Sequence, residues 1–196
     1  MTSADHSVLR VFDVDPASPT YKSQLGSVDL GKKESFGVFI DPADAAGTHA
    51  YVTLWEAQKV VDVDLTDPAH PAVARSFATD KNPQGVAFVG TQWMLVGNDY
   101  GETLTVVDRV GGTATTTPID FEPGLRGLDP SSLAYDAARG RLYVTLAGVN
   151  AVAAYDVDAT KSPPAVTPAG KVEVGWWPTS VAVGADGSLL VANLRG

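Results

Sequence analysis

Cysteine is absent from the 196-residue sequence, and histidine occurs only three times. Without cysteine the chain can form neither disulfide bonds nor thiolate metal sites, although this leaves its cellular compartment open. The three histidines, His6, His49 and His70, do not have the spacing of metal ligands. We therefore expect His49 and His70 to be solvated, and we predict no metal site and no cofactor.

Positive charge and long apolar runs are also scarce. The chain has 14 basic and 23 acidic residues, a net charge of −9, so it would repel phosphate backbones and is not expected to bind nucleic acid. No run approaches the roughly 18 apolar residues that a membrane helix requires. The first ten residues lack the basic start and apolar core of a signal peptide, so export would need a leader outside this sequence.

Four segments of similar sequence recur at a constant spacing. They are SFGVF from Ser35, PQGVA from Pro83, PSSLA from Pro130 and PTSVA from Pro178, with starts 48, 47 and 48 residues apart. This period is typical of one blade of a β-propeller. The chain also has 19 glycines and 13 prolines, which favour short strands separated by turns. The sequence therefore predicts an all-β propeller built from four-stranded antiparallel blades.

Each repeat contains three further candidate strands. The second strands are AYVT from Ala50, MLVG from Met94, LYVT from Leu142 and LVAN from Leu190. The third strands end at Asp13, Asp64, Asp108 and Asp156, and the polar fourth strands cover 24–30, 73–78, 114–119 and 170–174. We therefore predict that residues 1–196 form a single domain. Its repeats are 35–82, 83–129 and 130–177, and a composite blade combines 2–34 with 178–196.

The turns between these strands have suitable residues. The four aspartates that end the third strands recur once per repeat, so we expect them to cap turns rather than to form an acidic ring. Asp186-Gly187 and Arg139-Gly140 predict tight turns between first and second strands. A longer turn is expected from Asp41 to Thr48, because this segment lacks the alternating ligands of a calcium loop.

Two of the second strands carry the sequences Tyr51-Val52-Thr53 and Tyr143-Val144-Thr145. These residues, and the last repeat from Gly175 to Asn193, resemble the YVTN family of β-propeller repeats. The resemblance covers the whole chain and implies an exported bacterial or archaeal protein, extracellular or periplasmic. It is especially similar to propellers that precede a phosphoesterase domain, but no residue of such a domain is present.

The number of blades departs from the family pattern, because relatives commonly have more blades than the four repeats found here. Two outcomes are open. The terminal strand pairs could join into one composite blade that closes a four-bladed ring. Alternatively, the chain is a segment of a larger propeller that another segment or a second copy completes, because bare strand edges must be paired.

Candidate binding residues lie in the loops that join second to third strands and fourth to first strands, since these loops share one face of a propeller. Asp5, His6, Lys33, Asn82 and Asn150 belong to this face. Aromatic and charged side chains there are typical of binding surfaces. Trp176 and Trp177 have an alternative role, in which they pack between blades. The predicted ligand-binding residues are Trp55, Glu56, Asp99, Tyr100, Arg126, Trp176, Trp177 and Arg195.

No nucleophile motif and no phosphate-binding glycine loop accompany these residues. We therefore predict a non-catalytic binding or docking module whose partner is a protein or a small molecule at this face. The alternative is a propeller enzyme, either a lactonase-like or metal-dependent hydrolase or the accessory half of a phosphoesterase fusion. Such an enzyme needs acidic or histidine side chains that converge at the mouth of the channel.

Overall fold

The computed structural model describes residues 7–31, 34–119 and 124–195, which form sixteen strands and a short 3₁₀ turn at Ala147–Val149. The strands are β1 (Ser7–Phe12), β2 (Gln24–Gly31), β3 (Ser35–Phe39), β4 (His49–Leu54), β5 (Lys59–Asp64), β6 (Ala72–Ala78), β7 (Pro83–Val89), β8 (Trp93–Asn98), β9 (Thr103–Asp108), β10 (Ala114–Pro118), β11 (Pro130–Asp136), β12 (Arg141–Leu146), β13 (Ala151–Asp158), β14 (Ala165–Glu173), β15 (Trp176–Val183) and β16 (Leu189–Arg195). No helix among these residues is long and apolar enough to cross a membrane.

Twelve of the strands form three antiparallel sheets in which spatial order follows chain order. These sheets are the first blade (β3–β6), the second blade (β7–β10) and the third blade (β11–β14). The first strands of neighbouring blades contact each other, so they form the inner ring of an arc. The all-β architecture and the four-stranded blades predicted from the repeat are confirmed.

Two strand pairs flank the three blades. The N-terminal half-blade consists of β1 and β2, and the C-terminal half-blade consists of β15 and β16. The two half-blades are separate two-stranded sheets with no hydrogen-bonded ladder between them in the described residues. The composite blade therefore stays a prediction.

The hydrophobic core lies between neighbouring sheets. One cluster contains residues of the second and third blades, including Leu95, Leu142 and Val144. A second cluster, between the first and second blades, includes Phe77 and Met94. All five side chains are almost completely buried. Because full burial of such a side chain contributes about 1.5–3 kcal/mol, contacts between blades rather than within one sheet hold the arc together.

The predicted turn aspartates are confirmed in three of the four repeats. In each of these the carboxylate accepts a hydrogen bond from the backbone N–H two residues later. The pairs are Asp13 with Asp15 at 3.0 Å, Asp64 with Thr66 at 2.8 Å, and Asp108 with Val110 at 2.9 Å. The pKa values of Asp13, Asp64 and Asp108 are lowered, chiefly by hydrogen bonds from the side chains of Ser18 and Thr66 and from the backbone of Gly111, respectively, and the bonds from two residues later add to this effect.

The fourth turn prediction, at Asp156, is wrong. Strand β13 continues to Asp158, so Asp156 lies within the strand and pairs with Arg141, with 2.6 Å between Arg141 Nη2 and Asp156 Oδ1. Asp158 takes the turn position instead and accepts a hydrogen bond from Thr160 N at 3.0 Å. The fourth strand is also longer than expected, since β14 begins at Ala165 rather than at residue 170.

The last hairpin differs from the repeat alignment by one residue. The alignment matched Leu190 with Leu142. In the structure Leu142 pairs with Tyr135, whose equivalent in the last repeat is Val183. The residue that pairs with Val183 is Leu189 rather than Leu190. Residues 136–141 separate the first pair, whereas only residues 184–188 separate the second. The turn around Gly187, whose φ is +86°, is thus one residue shorter.

Candidate functional site

The predicted loops do lie together on one face, which we call the loop face. In each complete blade the residue that follows the second strand donates its N–H to the carbonyl of the residue that precedes the first strand of the same blade. These bonds run from Trp55 to Glu34 at 2.8 Å, from Asp99 to Asn82 at 2.9 Å, and from Ala147 to Asp129 at 3.1 Å. The same backbone contact therefore positions the loops of the three complete blades.

In three repeats an unusual backbone conformation occurs at the residue before the proline that begins PQGVA, PSSLA or PTSVA. Asn82, Asp129 and Trp177 have φ values of +58°, +47° and +54°, and each precedes a proline. Asn and Asp adopt this left-handed region at little cost, because their short polar side chains form local hydrogen bonds. Tryptophan has no such compensation, and a following proline normally favours extended backbone. Trp177 is therefore a strained residue at a position suited to Asn or Asp.

The side chain of Trp177 does not gain packing in exchange for this strain. It is 48% exposed, and the neighbouring Trp176 is 66% exposed. Packing of both tryptophans between blades, the alternative expected from the sequence, is not seen among the described residues at these exposures. The backbone of Trp177 is fixed by its N–H, which donates to Oδ1 of Asn150 at 2.9 Å.

Two carboxyl groups from neighbouring blades converge on the same face. Partial burial, followed by the nearby charge of Asp129, raises the pKa of Asp99 to about 6, while a hydrogen bond from Gln84 opposes the increase. Burial also raises the pKa of Asp129, with a smaller contribution from Glu102. None of the ion pairs formed within the described ranges includes Asp99 or Asp129. These are the only two carboxyl groups described whose pKa is raised rather than lowered.

The acid pair and Trp177 belong to one region. A Cβ at Gly148 would lie 2.7 Å from Oδ2 of Asp129, so the carboxylate contacts the 3₁₀ turn that leads to Asn150. Asn150 in turn holds the backbone of Trp177. We define the mouth site as Gln84, Asp99, Asp129, Asn150 and Trp177.

Glu102 supports the mouth site but was not predicted from sequence. Its carboxylate accepts hydrogen bonds from the backbone N–H groups of Gly127 and Leu128. These bonds link the loop of the second blade to the segment that leads into Asp129 and β11. No local motif marks this contact, because the paired residues are 25 and 26 positions apart.

The other predicted binding residues are distributed over the loop face. Tyr100, Glu56 and Arg126 are exposed, and Arg126 donates to the carbonyl of Leu125. Trp55 is partly buried, with no hydrogen-bond partner for its Nε1 among the described residues. Arg195 lies opposite Trp176 across the β15–β16 pair. Only Asp99 and Trp177 of the eight are in the mouth site, and the predicted positions Asp5, His6 and Lys33 lie outside the described residues.

His49 is not the freely solvated side chain that we expected. Its Nδ1 lies 2.7 Å from Oδ1 of Asp62, which is fully buried, and Nε of Arg75 donates to the other oxygen of Asp62 at 3.0 Å. The pairing arises because His49 and Asp62 are diagonal neighbours on β4 and β5. His70 is exposed as expected, although its Nδ1 lies 2.8 Å from Asp67.

The segment from Asp41 to Thr48 forms the predicted turn, with Asp41 Oδ1 accepting a hydrogen bond from Ala43 N at 2.9 Å. The second oxygen of Asp41 binds Arg109 and is not free to coordinate a cation. Among the residues that the structure describes, no three His, Asp or Glu side chains are grouped as a metal site requires.

No protein-family model and no curated protein matches the sequence. Solved structures do match its fold. A protein from Lactobacillus plantarum is 14% identical with a TM-score of 0.77, covering 95% of this chain and 57% of that chain. A putative 6-phosphogluconolactonase from Bacteroides fragilis is 15% identical with a TM-score of 0.75, covering 98% and 62%. A β-propeller domain from Myceliophteria thermophila is 13% identical with a TM-score of 0.71, covering 95% and 59%.

These similarities show the β-propeller fold and nothing about activity, because every identity is far below 25%. The chain spans about three fifths of the length of these three proteins.

Proposed function

We propose that the protein is a non-catalytic binding module whose ligand, a protein segment or a small molecule, binds at the mouth site. The observation that carries this proposal is the backbone of Trp177. A bulky residue in the left-handed region costs of the order of 1–3 kcal/mol, and such strain is concentrated at functional sites. Since Trp177 is half exposed, packing within the chain does not account for the strain. Contact between its indole ring and a ligand explains the strain better.

The chemistry of the mouth site indicates the kind of group that it would bind. An exposed indole ring offers a flat apolar surface, and it also attracts cations through its π-electrons. The carboxyl groups of Asp99 and Asp129 lack a basic partner within the described ranges. A ligand with an apolar or cationic group beside Trp177 and a hydrogen-bond donor towards Asp129 would satisfy both.

A screen with defined panels of metabolites and short peptides, read by thermal shift, tests the proposal. Ligands that bind the mouth site should lose at least tenfold in affinity in Trp177→Asn, which places at residue 177 the residue type found at Asn82. Tyr21→Ala, which changes an exposed aromatic outside the mouth site, should bind normally. Ligands that bind Trp177→Asn and the unchanged protein equally would contradict the proposal.

The resemblance to YVTN repeats supports an exported bacterial protein, extracellular or periplasmic, as the setting for this module. Fractionation of cells that express the full reading frame tests the location. Recovery from the cytoplasm alone would contradict it.

An enzyme on the same ring is the second candidate, and Asp99 is the observation that favours it. A carboxyl group with a pKa of about 6 can act as a general acid near neutral pH, and Asp129 lies close enough to affect it. The similarity to a putative 6-phosphogluconolactonase shows the fold only, so it suggests lactones as one panel to test. The alternatives are a metal-dependent hydrolase and the accessory half of a phosphoesterase fusion.

A panel of lactones, carboxylic esters and phosphate esters, assayed with and without added divalent metal, separates the two candidates. An enzyme should lose turnover in Asp99→Asn, whereas a binding module should show no turnover with any substrate. Turnover that Asp99→Asn abolishes would therefore replace the binding function with catalysis.

A further inference from the structure

A polar cavity of about 190 Å³ lies between the first and second blades, on the face opposite the loop face. The turn between β3 and β4, the turn between β7 and β8 and the turn after β9 all contribute to it. All of its lining residues belong to the continuous described range 34–119. We call it the opposite cavity, and its lining includes Asp41, Asp44, Thr48, His49, Thr91 and Arg109.

Asp62, which binds His49 at this cavity, is a buried charge at a position that is apolar in the other complete blades. The residues at the same place in the ladders of the second and third blades are Val106 and Ala154. An apolar residue there is therefore sufficient to build a blade. Because a buried ion pair is often no more stable than apolar residues of similar volume, the fold does not require a carboxylate at Asp62.

Arg109 shows the same departure at a second position. Its backbone N–H donates to the turn between the first and second strands of its blade, as the N–H groups of Leu65 and Val157 do in the first and third blades. The side chain of Arg109 is nevertheless charged, more than nine-tenths buried and paired with Asp41. Two buried charges at otherwise apolar positions, one in each blade, thus meet at the opposite cavity.

Asp62 fixes the imidazole of His49 in one orientation. Nδ1 of His49 lies 2.7 Å from Oδ1 of Asp62, and Nε of Arg75 donates to the second oxygen at 3.0 Å. A carboxylate paired with arginine only accepts hydrogen bonds, so Nδ1 carries the proton and the lone pair of neutral His49 is on Nε2. No described residue donates to Nε2. This nitrogen is therefore an acceptor that is left for a group in the cavity.

Asp44 provides a second acceptor beside the imidazole. Its Oδ2 accepts hydrogen bonds from Oγ1 of Thr48 at 3.0 Å and from the backbone N–H of His49 at 3.1 Å. A carboxylate has about four acceptor positions, so Asp44 can accept a further donor from the cavity. Since Asp41 and Arg109 neutralise each other, Asp44 also leaves the lining with an excess negative charge, which disfavours an anionic ligand.

Arg109 offers the opposite kind of group, a hydrogen-bond donor. Its terminal nitrogens donate to Tyr51, Asp41 and Gly90. Its Nε is buried and has no hydrogen-bond partner among the described residues. Because a buried N–H without an acceptor costs stability, most such groups in folded proteins are paired. The guanidinium that lines the cavity is thus incompletely satisfied by the chain itself.

The size and the chemistry of the cavity together indicate a class of ligand. An apolar cavity of about 150 Å³ holds benzene, so about 190 Å³ accommodates one six-membered ring. Acceptors at His49 and Asp44 require donors on the ligand, and the guanidinium of Arg109 requires an acceptor. A hydroxyl group supplies both, because its oxygen accepts while its hydrogen is donated.

We propose that the opposite cavity binds a small neutral polyol, of the size of one sugar ring. Neighbouring hydroxyl groups of the ligand donate to Nε2 of His49 and to the carboxylate of Asp44, and a hydroxyl oxygen accepts from Arg109. This site lies on the other face of the propeller from the mouth site, so it is independent of the function proposed there.

Amide NMR spectra during titration give the first test. The probes are glucose, galactose, mannose and myo-inositol, each added separately up to millimolar concentrations. At least one should shift the amide signals of Thr48, His49 and Thr91 in a saturable way and leave those of Asp99 and Asn150 in the mouth site unchanged. If none of these probes shifts the signals of the cavity residues, the proposal is overturned.

His49→Asn tests the role of the imidazole. The amide nitrogen of asparagine lies two bonds from Cβ, as Nδ1 of histidine does, so the variant can still donate to Asp62 but lacks Nε2. The probe that binds should lose at least tenfold in affinity. His70→Asn changes an exposed histidine that has the same kind of carboxylate partner outside the cavity, and it should bind normally. Equal affinity in His49→Asn and the unchanged protein would overturn the proposal.

Asp44→Asn gives a second variant that does not disturb the buried network. The amide oxygen can still accept from the backbone of His49, but an amide donor replaces the other oxygen, so affinity should fall severalfold. Asp67→Asn, in a turn outside the cavity, should bind normally. Affinity that Asp44→Asn leaves unchanged would overturn the proposal.

Glucuronate tests the neutral character of the ligand. It has the ring of glucose with an added carboxylate, which the charge of Asp44 should repel, so it should bind the cavity more weakly than the best neutral probe. The difference should decrease at high salt, because salt screens the repulsion. Glucuronate that shifts the cavity signals with higher affinity than every neutral probe would overturn the proposal.

Discussion

The guanidinium of Arg109, after the third strand of the second blade, binds the carboxylate of Asp41 in the first blade, with 2.7 Å between Nη2 and Oδ2. Both side chains are more than nine-tenths buried. Arg109 also donates to the hydroxyl of Tyr51 at 3.1 Å and to the carbonyl of Gly90 at 3.2 Å, and its guanidinium lies 5.0 Å from the ring centre of Phe88. A single side chain thus connects two blades on the face opposite the mouth site.

Removal of Asp41 should destabilise the protein strongly, because it leaves the charge of Arg109 buried and unpaired. We expect Asp41→Ala to lower the free energy of unfolding by about 3–5 kcal/mol in urea denaturation. The exposed pair of Arg141 and Asp156 provides the control, since an exposed ion pair contributes less than about 1 kcal/mol. A loss from Asp41→Ala no larger than that from Asp156→Ala would contradict this role.

Asp62 should be equally sensitive. It is fully buried between His49 and Arg75, and Asp62→Ala would leave both partners without their acceptor. We expect a loss of about 3 kcal/mol in the free energy of unfolding, because a buried network loses its central member. Asp67→Ala, which removes the exposed partner of His70, should cost much less. Equal losses would show that the burial of Asp62 is energetically unimportant.

The repeat in the sequence predicted what depends on local residues. Strand positions, the tight turns at Gly140 and Gly187, and the caps at Asp64 and Asp108 all follow from patterns within about ten residues. The prediction for Asp156 failed because it assumed that every third strand has the same length. The period of the repeat identifies equivalent positions in the blades, but it does not show where one strand is longer than its counterparts.

The contacts that define the sites could not be read from the sequence. Asp41 and Arg109 are 68 residues apart, and nothing in the turn of Asp41 indicates a distant cation. Asp99 was predicted as a binding residue, but Asp129 was not, since their proximity depends on how the second and third blades pack. The strain at Trp177 was equally invisible, because proline at the next position indicates extended rather than left-handed backbone.

Replacement of Trp177 by asparagine should stabilise the protein. Asparagine tolerates the left-handed region in which Trp177 is held, and the half-exposed indole ring contributes little packing. We expect a gain of up to about 1 kcal/mol in the free energy of unfolding. Trp176→Asn serves as the control, since Trp176 has no positive φ and should gain nothing. A clear loss of stability in Trp177→Asn would mean that its indole ring packs more than its exposure indicates.

Asp99 should make the stability of the protein depend on pH in the direction opposite to an ordinary carboxylate. Its folded pKa of about 6 exceeds the ordinary value of 3.8, so between these values the folded chain holds more protons than the unfolded chain. The contribution of Asp99 to stability is therefore fully present below pH 4 and is lost as the pH rises through 6. The amide introduced in Asp99→Asn does not ionise, so the variant avoids the cost of holding a charged carboxylate in a partly buried position.

The variant should accordingly be more stable than the unchanged protein at pH 8 and equal to it near pH 4. A shift of about two pKa units corresponds to roughly 3 kcal/mol, which we reduce to about 1 kcal/mol because Asp99 is only half buried and solvent screens it. Urea denaturation at both pH values measures the difference. Asp108→Asn should show the opposite sign, with a loss of stability at pH 8, because hydrogen bonds led by that from Gly111 lower the pKa of Asp108. If Asp99→Asn and Asp108→Asn change stability in the same direction at pH 8, Asp99 is not the destabilised carboxylate described here.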